Sequence, residues 1–173
     1  MELETKRMIL RDFTSDDLQD LHEIFSDPIV MEHTEPPYDL AKTQELLDGF
    51  CIKKRGAFAA VLKSSGKMIG YVLFREDDEP DIYEAGWIFN KDYWGKGFAY
   101  EICSALIAHG FNDMGLHKIC ATATDVVKSV GLMKKLGMTQ EALHRKHTKS
   151  NDGVWQDLYK YAVLREDYSN LTT

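Results

Sequence analysis

The sequence predicts one domain of the mixed α/β (α+β) class, spanning residues 1–173, in which about four helices flank a mostly antiparallel sheet of seven strands. Three observations predict this fold. The 173 residues, 44% of them hydrophobic, suit one sizeable core rather than two domains. Some strand-like segments follow each other through short turns, whereas others are separated by segments of helical periodicity. No internal repeat, low-complexity segment or linker divides the sequence.

The first third of the sequence predicts one strand followed by two helices. Residues 7–11 have the composition of an opening strand, and Thr14 with Asp17 three positions later predicts a capping box at a helix start. Apolar residues then recur at helical spacing until Pro28 ends this helix. A second helix contains the apolar residues at positions 46–51.

The rest of the sequence predicts six strands and two helices. Three strand-like segments joined by short turns predict an antiparallel meander. A helix, a strand, a short helix closed by Gly137 and a final hairpin follow. The predicted strands are residues 57–63, 67–75, 82–89, 118–125, 138–147 and 154–164, and the predicted helices contain residues 99–110 and 132–136.

The composition argues against several kinds of partner. The net charge is −7 and no lysine-rich segment occurs, so the basic surface expected of a nucleic-acid-binding protein is missing. The first residues lack the apolar segment of a signal peptide, and no window approaches the ~18 apolar residues of a membrane span. Three cysteines without a CxxC pair are typical of reduced cytosolic thiols. We therefore predict a soluble, unprocessed, cytoplasmic protein with no nucleic-acid or membrane partner.

The six histidines predict no metal site. Four are scattered along the sequence. His144 and His147 lie three residues apart in a predicted strand, which would place their side chains on opposite faces. We therefore expect no metal cofactor.

The segment YWGKGFAY, residues 93–100, contains a pattern that points to a ligand. It lies between a strand that ends near Phe89 and a helix that starts near Gly97, where several backbone N–H groups have no partner within the helix. Glycine allows a close approach of a ligand, the helix dipole favours an anion, and Lys96 could add a positive charge. A strand-to-helix turn without a ligand is the alternative. The spacing matches neither GxGxxG nor GxxxxGK[ST], which disfavours a Rossmann or P-loop enzyme.

Three segments together resemble the signature of the GNAT superfamily of acyl-CoA N-acyltransferases. They are EAGWIF at residues 84–89, YWGKGFA at residues 93–99, and Ser129 followed by KLGM at residues 135–138. The resemblance covers nearly the whole chain, and the order of the predicted elements agrees with it. Within the superfamily, the sequence is most similar to the ribosomal-protein (serine/alanine) N-acetyltransferase branch. The resemblance implies a GNAT-like fold and an N-acetyltransferase that uses acetyl-CoA as co-substrate and an amine as acceptor.

The same resemblance implies which residues bind acetyl-CoA. The backbone of Trp87 to Phe89 would pair with the pantetheine arm as an additional strand would. The loop from Trp94 to Ala99 would hold the pyrophosphate. The implied cofactor-binding residues are Trp87, Ile88, Phe89, Trp94, Gly95, Lys96, Gly97, Phe98, Ala99 and Ser129.

The implied reaction is direct attack of an amine on the acetyl thioester, which requires a proton acceptor, a stabilised oxyanion and a protonated leaving thiolate. Glu84 is the candidate general base, because amines are mostly protonated at neutral pH and the superfamily often places its base here. Alternatively, Glu84 pairs with an arginine or lysine of a neighbouring strand. A backbone N–H of Ile88 or Phe89 could bind the oxyanion if the strand is splayed. Either Ser129 or water would protonate the thiolate, although a serine at a helix start is more often an N-cap.

Three positions depart from the pattern of this branch or of the superfamily. Val126 replaces the asparagine of an NxxS pattern, Met133 replaces a frequent tyrosine, and Thr148 replaces a carboxylate. The acceptor therefore stays open between a protein N-terminus and a small amine such as a polyamine or an amino sugar. A catalytically weak or inactive CoA-binding protein and a non-enzymatic interaction domain are the alternatives to an active enzyme. The oligomeric state also stays open, with a homodimer as one option.

Overall fold

The computed structural model describes residues 1–171, with side chains described through residue 168. Eight strands form one sheet in this part of the chain. They are β1 (Leu3–Glu4), β2 (Met8–Asp12), β3 (Ala57–Leu62), β4 (Met68–Glu76), β5 (Ile82–Phe89), β6 (Lys118–Ala123), β7 (Thr139–Lys149) and β8 (Trp155–Leu164). Their order in the sheet is β1-β2-β3-β4-β5-β6-β8-β7. All neighbouring strands are antiparallel except β5 and β6, which are parallel.

Five α-helices accompany the sheet within residues 1–171. They are α1 (Leu18–Phe25), α2 (Leu40–Glu45), α3 (Phe98–Asn112), α4 (Ser129–Lys135) and α5 (Arg165–Leu171), and α2 continues as a π-helical segment, Leu46–Lys53. The predicted capping box is present before α1. The N–H of Thr14 donates to Asp17 Oδ2 at 2.8 Å and so satisfies a backbone donor at the start of the helical region.

The mixed α/β fold is confirmed, with eight strands rather than seven and five helices rather than about four. The additional strand, β1, pairs with Ile9 and Leu10 of β2. Its two residues are too few to show the alternation that reveals a strand in a sequence. The additional helix, α5, directly follows β8, and its seven residues are too short and too polar to show helical periodicity.

Helices cover both faces of the sheet. One core cluster contains buried residues of α3 and α4, and the other contains buried residues of α1 and the π-helical segment. Along β5, Ala85 and Phe89 belong to the first cluster, whereas Ile88 packs against the second. Because side chains alternate along a strand, Glu84 lies on the same face as Ile88, toward α1 and α2.

Strands β5 and β6 separate toward their carboxyl ends. They pair only over residues 82–84 of β5 and residues 118–120 of β6. Beyond Glu84, β5 continues to Phe89 against β4, and β6 continues to Ala123 against β8. Because each strand follows a different neighbour, a wedge opens between them, and their facing backbone edges are no longer paired within the described sheet.

The final hairpin contains a bulge that the sequence did not reveal. The register of β7 and β8 shifts between His144 and Thr148, and Lys146 has a positive φ of 49°. The bulge breaks the alternation, so the rings of His144 and His147 lie 5.2 Å apart and the prediction of opposite faces was wrong. Among the described residues, no group of three or more His, Cys, Asp or Glu side chains could hold a metal ion. The same part of the chain contains no helix that is long and apolar enough to cross a bilayer.

Candidate active site

A cavity of about 110 Å³ lies in the wedge between β5 and β6. Both strands line it, together with α4 and with the α1–α2 loop, residues 26–39. The lining residues include Gly86, Trp87, Thr122, Ser129, Met133, His33 and Thr34. Two residues named by the sequence, Trp87 and Ser129, therefore meet at one cavity although they are far apart in the chain.

The backbone of β5 offers hydrogen-bonding groups to this wedge. The N–H of Asn90 donates to the Ile69 carbonyl of β4 at 2.9 Å. Because backbone groups alternate in direction along a strand, those of Trp87 and Phe89 point away from β4 and toward the wedge. The Phe89 carbonyl accepts a hydrogen bond from the Trp94 indole at 2.8 Å. Trp87 can therefore offer both backbone groups to a ligand, and Phe89 can offer its N–H.

The glycine loop, residues 94–99, leads from the end of β5 into α3. Gly95 and Gly97 have φ values of 72° and 79°, in the left-handed region that glycine adopts without strain. The N–H of Glu101 donates to the Gly97 carbonyl at 3.0 Å, as the first such bond of α3. The N–H groups of Phe98, Ala99 and Tyr100 lie before this bond and therefore have no partner within the helix. Such N–H groups are the donors with which the start of a helix binds an anion.

Side chains of the loop shape it rather than supply its charge. The ammonium of Lys96 donates to the Asp92 carbonyl at 2.8 Å and lies 5.3 Å from the centroid of the Tyr93 ring. Lys96 therefore turns back onto the preceding turn, and the groups that the loop offers to an anion are backbone N–H groups. The ammonium of Lys128 lies 4.1 Å from the Trp94 ring centroid and connects the loop to the segment before α4.

Glu84 is the last residue of β5 that pairs with β6, so it lies at the narrow end of the wedge. Its side chain is 24% exposed and forms an ion pair with Arg75, which lies directly opposite on β4. Arg75 Nε and Nη2 both donate to Glu84 Oε2, at 3.1 and 2.8 Å. The hydrogen bond to Glu84 raises the pKa of Arg75 above its ordinary value. The ion pair considered as an alternative role is thus present, and it leaves Oε1 outside these two bonds.

A second polar group lies beside Glu84 on the sheet. Cys120 of β6 lies beside Glu84 in the parallel pairing of β5 and β6. The Cys120 thiol lies 3.4 Å from Asp77 Oδ2, and Lys160 Nζ lies 4.0 Å from the same oxygen. Burial raises the pKa of Cys120 to about 11. The thiol is therefore protonated at neutral pH and is a poor nucleophile.

Ser129 is the first residue of α4, and its N-cap position is occupied by Lys128. The cap itself makes no side-chain hydrogen bond; instead, Asp125 Oδ1 accepts from the N–H groups of Val127 and Lys128 at 2.8 and 3.1 Å. Ser129 therefore lines the cavity without being the cap of its helix. Val126 lies in the same turn, 54% exposed.

The α1–α2 loop is fastened across the site by residues from distant parts of the chain. The side-chain amide of Asn151, in the turn between β7 and β8, donates to the carbonyls of Met31 and Glu35 at 3.1 and 3.2 Å. The Thr124 hydroxyl donates to the His33 carbonyl at 3.4 Å. The hairpin and the end of β6 thus hold the loop segment that lines the cavity.

Sequence reasoning did not identify the side chains that complete the site, namely Arg75, Asp77, Asn151 and His33. For Arg75 a signal existed, because an arginine near the end of one strand and a glutamate near the start of the next can face each other across a hairpin. For Asn151 and His33 no local signal existed, because Asn151 contacts Met31 and Glu35 from more than a hundred residues away and His33 contacts Thr124, 91 residues away.

Comparison with known families and relatives agrees with this geometry. A family profile described as "Acetyltransferase (GNAT) domain" matches residues 7–139. The Bacillus subtilis (strain 168) protein "Uncharacterized N-acetyltransferase YnaD" is 34% identical over 98% of this chain and 100% of its own length. A solved acetyltransferase (GNAT family) from Bacillus anthracis is 30% identical, covers 96% of this chain and 99% of its own, and has a TM-score of 0.89. The chain belongs to the GNAT family and is an acetyltransferase of that family.

Two more distant structures share the fold. Spermidine N-acetyltransferase from Vibrio cholerae, solved with CoA and spermine, has a TM-score of 0.81 at 24% identity over 94% of this chain and 98% of its own. Ribosomal-protein-S5-alanine acetyltransferase from Vibrio fischeri has a TM-score of 0.80 at 20% identity over 97% of this chain and 98% of its own. The predicted resemblance to the GNAT superfamily is confirmed, and the ribosomal-protein branch is among the structural neighbours.

Proposed function

We propose that this protein transfers the acetyl group of acetyl-CoA to a primary amine by direct attack of the amine on the thioester. The observation that supports this most strongly is the wedge between β5 and β6, which leads from Glu84 at its narrow end toward the glycine loop at the carboxyl end of β5. An extended thioester arm with a phosphate group at its far end fits this arrangement of an unpaired strand edge followed by a helix start.

The residues present fit acetyl-CoA. The Trp87 C=O and the Phe89 N–H would pair with the amide-containing pantetheine arm, which needs one donor and one acceptor at the strand edge. The N–H groups of the glycine loop would hold the pyrophosphate. A neighbour of the same fold was solved with CoA, which supports CoA as the ligand here.

Glu84 would accept the proton of the attacking amine, directly or through a water molecule. It lies where the thioester end of the arm would come to rest, and it faces the α1 and α2 side, from which an acceptor can approach. Arg75 binds only Oε2, so Oε1 can accept a proton while the ion pair orients the carboxylate.

The Phe89 N–H, a candidate oxyanion donor from the sequence, points toward the wedge but lies at its glycine-loop end, about 16 Å along β5 from Glu84. The Trp87 N–H also points toward the wedge and is nearer to Glu84, so it is the better candidate donor to the oxyanion. The antiparallel pairing of β5 with β4 fixes its direction before the reaction begins, so no reorganisation is needed. Ser129 lines the same cavity and would protonate the leaving thiolate, or position the water that does so.

The cysteines support direct transfer over an acetyl-cysteine intermediate. Cys51, Cys103 and Cys120 are free and buried, and burial raises the pKa of each thiol. A thiol that stays protonated is a weak nucleophile. Three buried unpaired thiols also favour a reducing compartment, and we propose the cytoplasm.

The test is a screen of acetyl-CoA against a panel of polyamines, amino sugars, amino acids and N-terminal peptides. Thiol release measures turnover, and mass spectrometry identifies the acetylated product. We expect one amine class to give thiol release together with the corresponding amide. CoA binding without thiol release for any amine would favour a CoA-binding protein with no turnover. Failure to bind CoA at all would contradict the proposal.

A further inference from the structure

The glycine loop is held from behind by a residue of the β1–β2 turn. Arg7 Nη1 donates to the Lys96 carbonyl at 2.9 Å. The Arg7 guanidinium also lies 4.1 Å from the centroid of the Phe98 ring, at the first residue of α3. Arg7 therefore contacts the loop on both sides of Gly97, although it lies some ninety positions earlier in the chain.

Glu101, in the first turn of α3, fixes the orientation of Arg7. Its Oε1 accepts from the Arg7 backbone N–H and from the Thr5 hydroxyl, both at 2.7 Å, and its Oε2 accepts from Arg7 Nε at 2.6 Å. Burial disfavours the charged carboxylate, but the hydrogen bonds from Thr5 and Arg7 outweigh burial and hold the pKa of Glu101 below its ordinary value. Glu101 is thus ionised at neutral pH, and Arg7 has one defined direction.

The contact with the Lys96 carbonyl determines where the next N–H points. In a trans peptide the C=O of one residue and the N–H of the following residue point in opposite directions. Because the Lys96 carbonyl faces Arg7, the Gly97 N–H faces away from Arg7. Gly97 follows this peptide with a positive φ of 79°, and glycine would otherwise allow the peptide to rotate about this angle at little cost.

We propose that Arg7, held by Glu101, is a positioning residue for CoA binding: it locks the Lys96–Gly97 peptide so that the Gly97 N–H joins the donors for the pyrophosphate. This inference rests on the proposed function. Arg7 acts through the peptide and does not need to touch the ligand.

A purely structural role for Arg7 makes a different prediction. If the residue only fastens the β1–β2 turn to α3, its loss should lower stability and affect every ligand of the wedge equally. If Arg7 orients the Gly97 N–H, its loss should weaken the binding of ligands that contain the pyrophosphate. The binding of ligands that lack the pyrophosphate should not change. CoA and pantetheine, which share the thiol arm and differ in the nucleotide diphosphate part, separate the two roles.

The variant Arg7→Met keeps an unbranched apolar side chain and removes the guanidinium with its charge and donors. Lys63→Met is the matched control, because the Lys63 ammonium donates to Glu4 Oε2 at 2.8 Å and to the Thr5 carbonyl at 2.7 Å. It fastens the same turn with one positive charge but makes neither of these loop contacts. Arg7→Lys, which keeps the charge but cannot donate to Glu101 and Lys96 in the same fork geometry, serves if Arg7→Met does not fold.

Calorimetric titrations with CoA and with pantetheine, and melting temperatures, are measured for all variants. We expect Arg7→Met to weaken CoA binding about tenfold, which is the effect of losing one well-oriented hydrogen bond to a charged group. The affinity for pantetheine should stay within about twofold of the wild-type value. We expect Lys63→Met to bind both ligands within about twofold of the wild-type affinity. We expect Arg7→Lys to lose affinity for CoA alone. Unchanged CoA affinity in both Arg7 variants, or equal loss for CoA and pantetheine, would overturn the inference alone. A wild-type protein that does not bind CoA would overturn the proposed function and this inference with it.

Discussion

The glycine loop and the acceptor side of β5 are built in different ways, although they belong to one site. A single segment of about eight positions supplies the groups that the glycine loop offers to a ligand, and these groups belong to the backbone, while one distant side chain, Arg7, contacts the loop. The acceptor side is formed by side chains from separate elements, including Arg75 of β4, Glu84 of β5 and Asn151 of the last hairpin.

The difference shows which half of such a site can vary. Backbone donors depend mainly on helix and strand geometry and need few particular side chains, so a short motif can define the proposed cofactor half. The acceptor half depends on side chains and on loop contacts between distant segments, and each can change without disturbing the fold. We therefore expect variants in the two halves to affect different measured quantities.

Glu84→Gln should give the largest effect, and it should be confined to chemistry. The substitution preserves volume but removes the proton acceptor, so kcat should fall by about 10²- to 10⁴-fold while CoA affinity stays unchanged. Single-turnover acetylation and a CoA titration measure the two quantities separately. Glu76→Gln, at the exposed end of β4, is the control and should retain the wild-type rate.

Two results would change the role of Glu84. Wild-type turnover in Glu84→Gln would remove it from the mechanism. A small drop in melting temperature with little change in rate would assign Glu84 to the ion pair with Arg75, since the variant weakens a pair whose arginine side chain is 54% exposed.

Gly97→Asp should show the converse pattern, with CoA affinity lost and the fold preserved. A side chain at a φ of 79° is strained, and its Cβ would lie 3.5 Å from Arg7 Nη2, so the new carboxylate would compete for the guanidinium that holds the Lys96–Gly97 peptide and add a negative charge near the pyrophosphate. We expect CoA to bind at least ~100-fold more weakly. Gly66→Asp is the matched control, because Gly66 also has a positive φ, of 70°, but lies in the β3–β4 turn with open space around it. Equal CoA affinity in both variants would show that the glycine loop does not hold the ligand.

Asn151→Ala should weaken binding of the acceptor amine and leave binding of CoA unchanged. Losing two hydrogen bonds to the α1–α2 loop should loosen the wall formed by His33 and Thr34 and raise KM for the amine by about three- to tenfold, with an unchanged Kd for CoA. Steady-state kinetics with varied amine at saturating acetyl-CoA measure this effect. Asn112→Ala, on the exposed end of α3, is the control. An equal loss of CoA affinity in Asn151→Ala would mean that the two halves of the site are not separable.

Val126→Asn should have the smallest effect. By resemblance to the NxxS pattern, the added amide should donate one hydrogen bond to the cofactor and tighten CoA by about 0.5–1.5 kcal/mol. Val126 is 54% exposed, so the change should not disturb the core. A calorimetric titration with CoA measures this change. Equal or weaker binding of CoA would show that the turn around Asp125 compensates for the missing amide.

The sequence predicted the parts of the molecule that depend on local physics. The glycine loop was recognisable because two glycines before an apolar helix mark a turn with positive φ, whereas its contact with Arg7 was not predictable. The strand meander and the helix faces followed from periodicity. Strand β1 and helix α5 were missed because they are too short to show a period.

Features that depend on register or on long-range contacts were not predictable. The pairing of Arg75 with Glu84 requires the exact register of β4 and β5, and the bulge at Lys146 reversed the expected placement of His144 and His147. The splay between β5 and β6 is likewise a property of the whole sheet, because it arises where two strands follow different neighbours.

Amide hydrogen exchange with and without CoA tests most directly whether the backbone of the wedge and the glycine loop bind the cofactor. We expect CoA to slow the exchange of the Trp87 and Phe89 amides and of the amides from Gly97 to Tyr100, because these groups would donate to the ligand. Amides of residues 31–35 should change less. Protection confined to the α1–α2 loop, or CoA binding that leaves residues 87–100 unprotected, would contradict the assignment of this site.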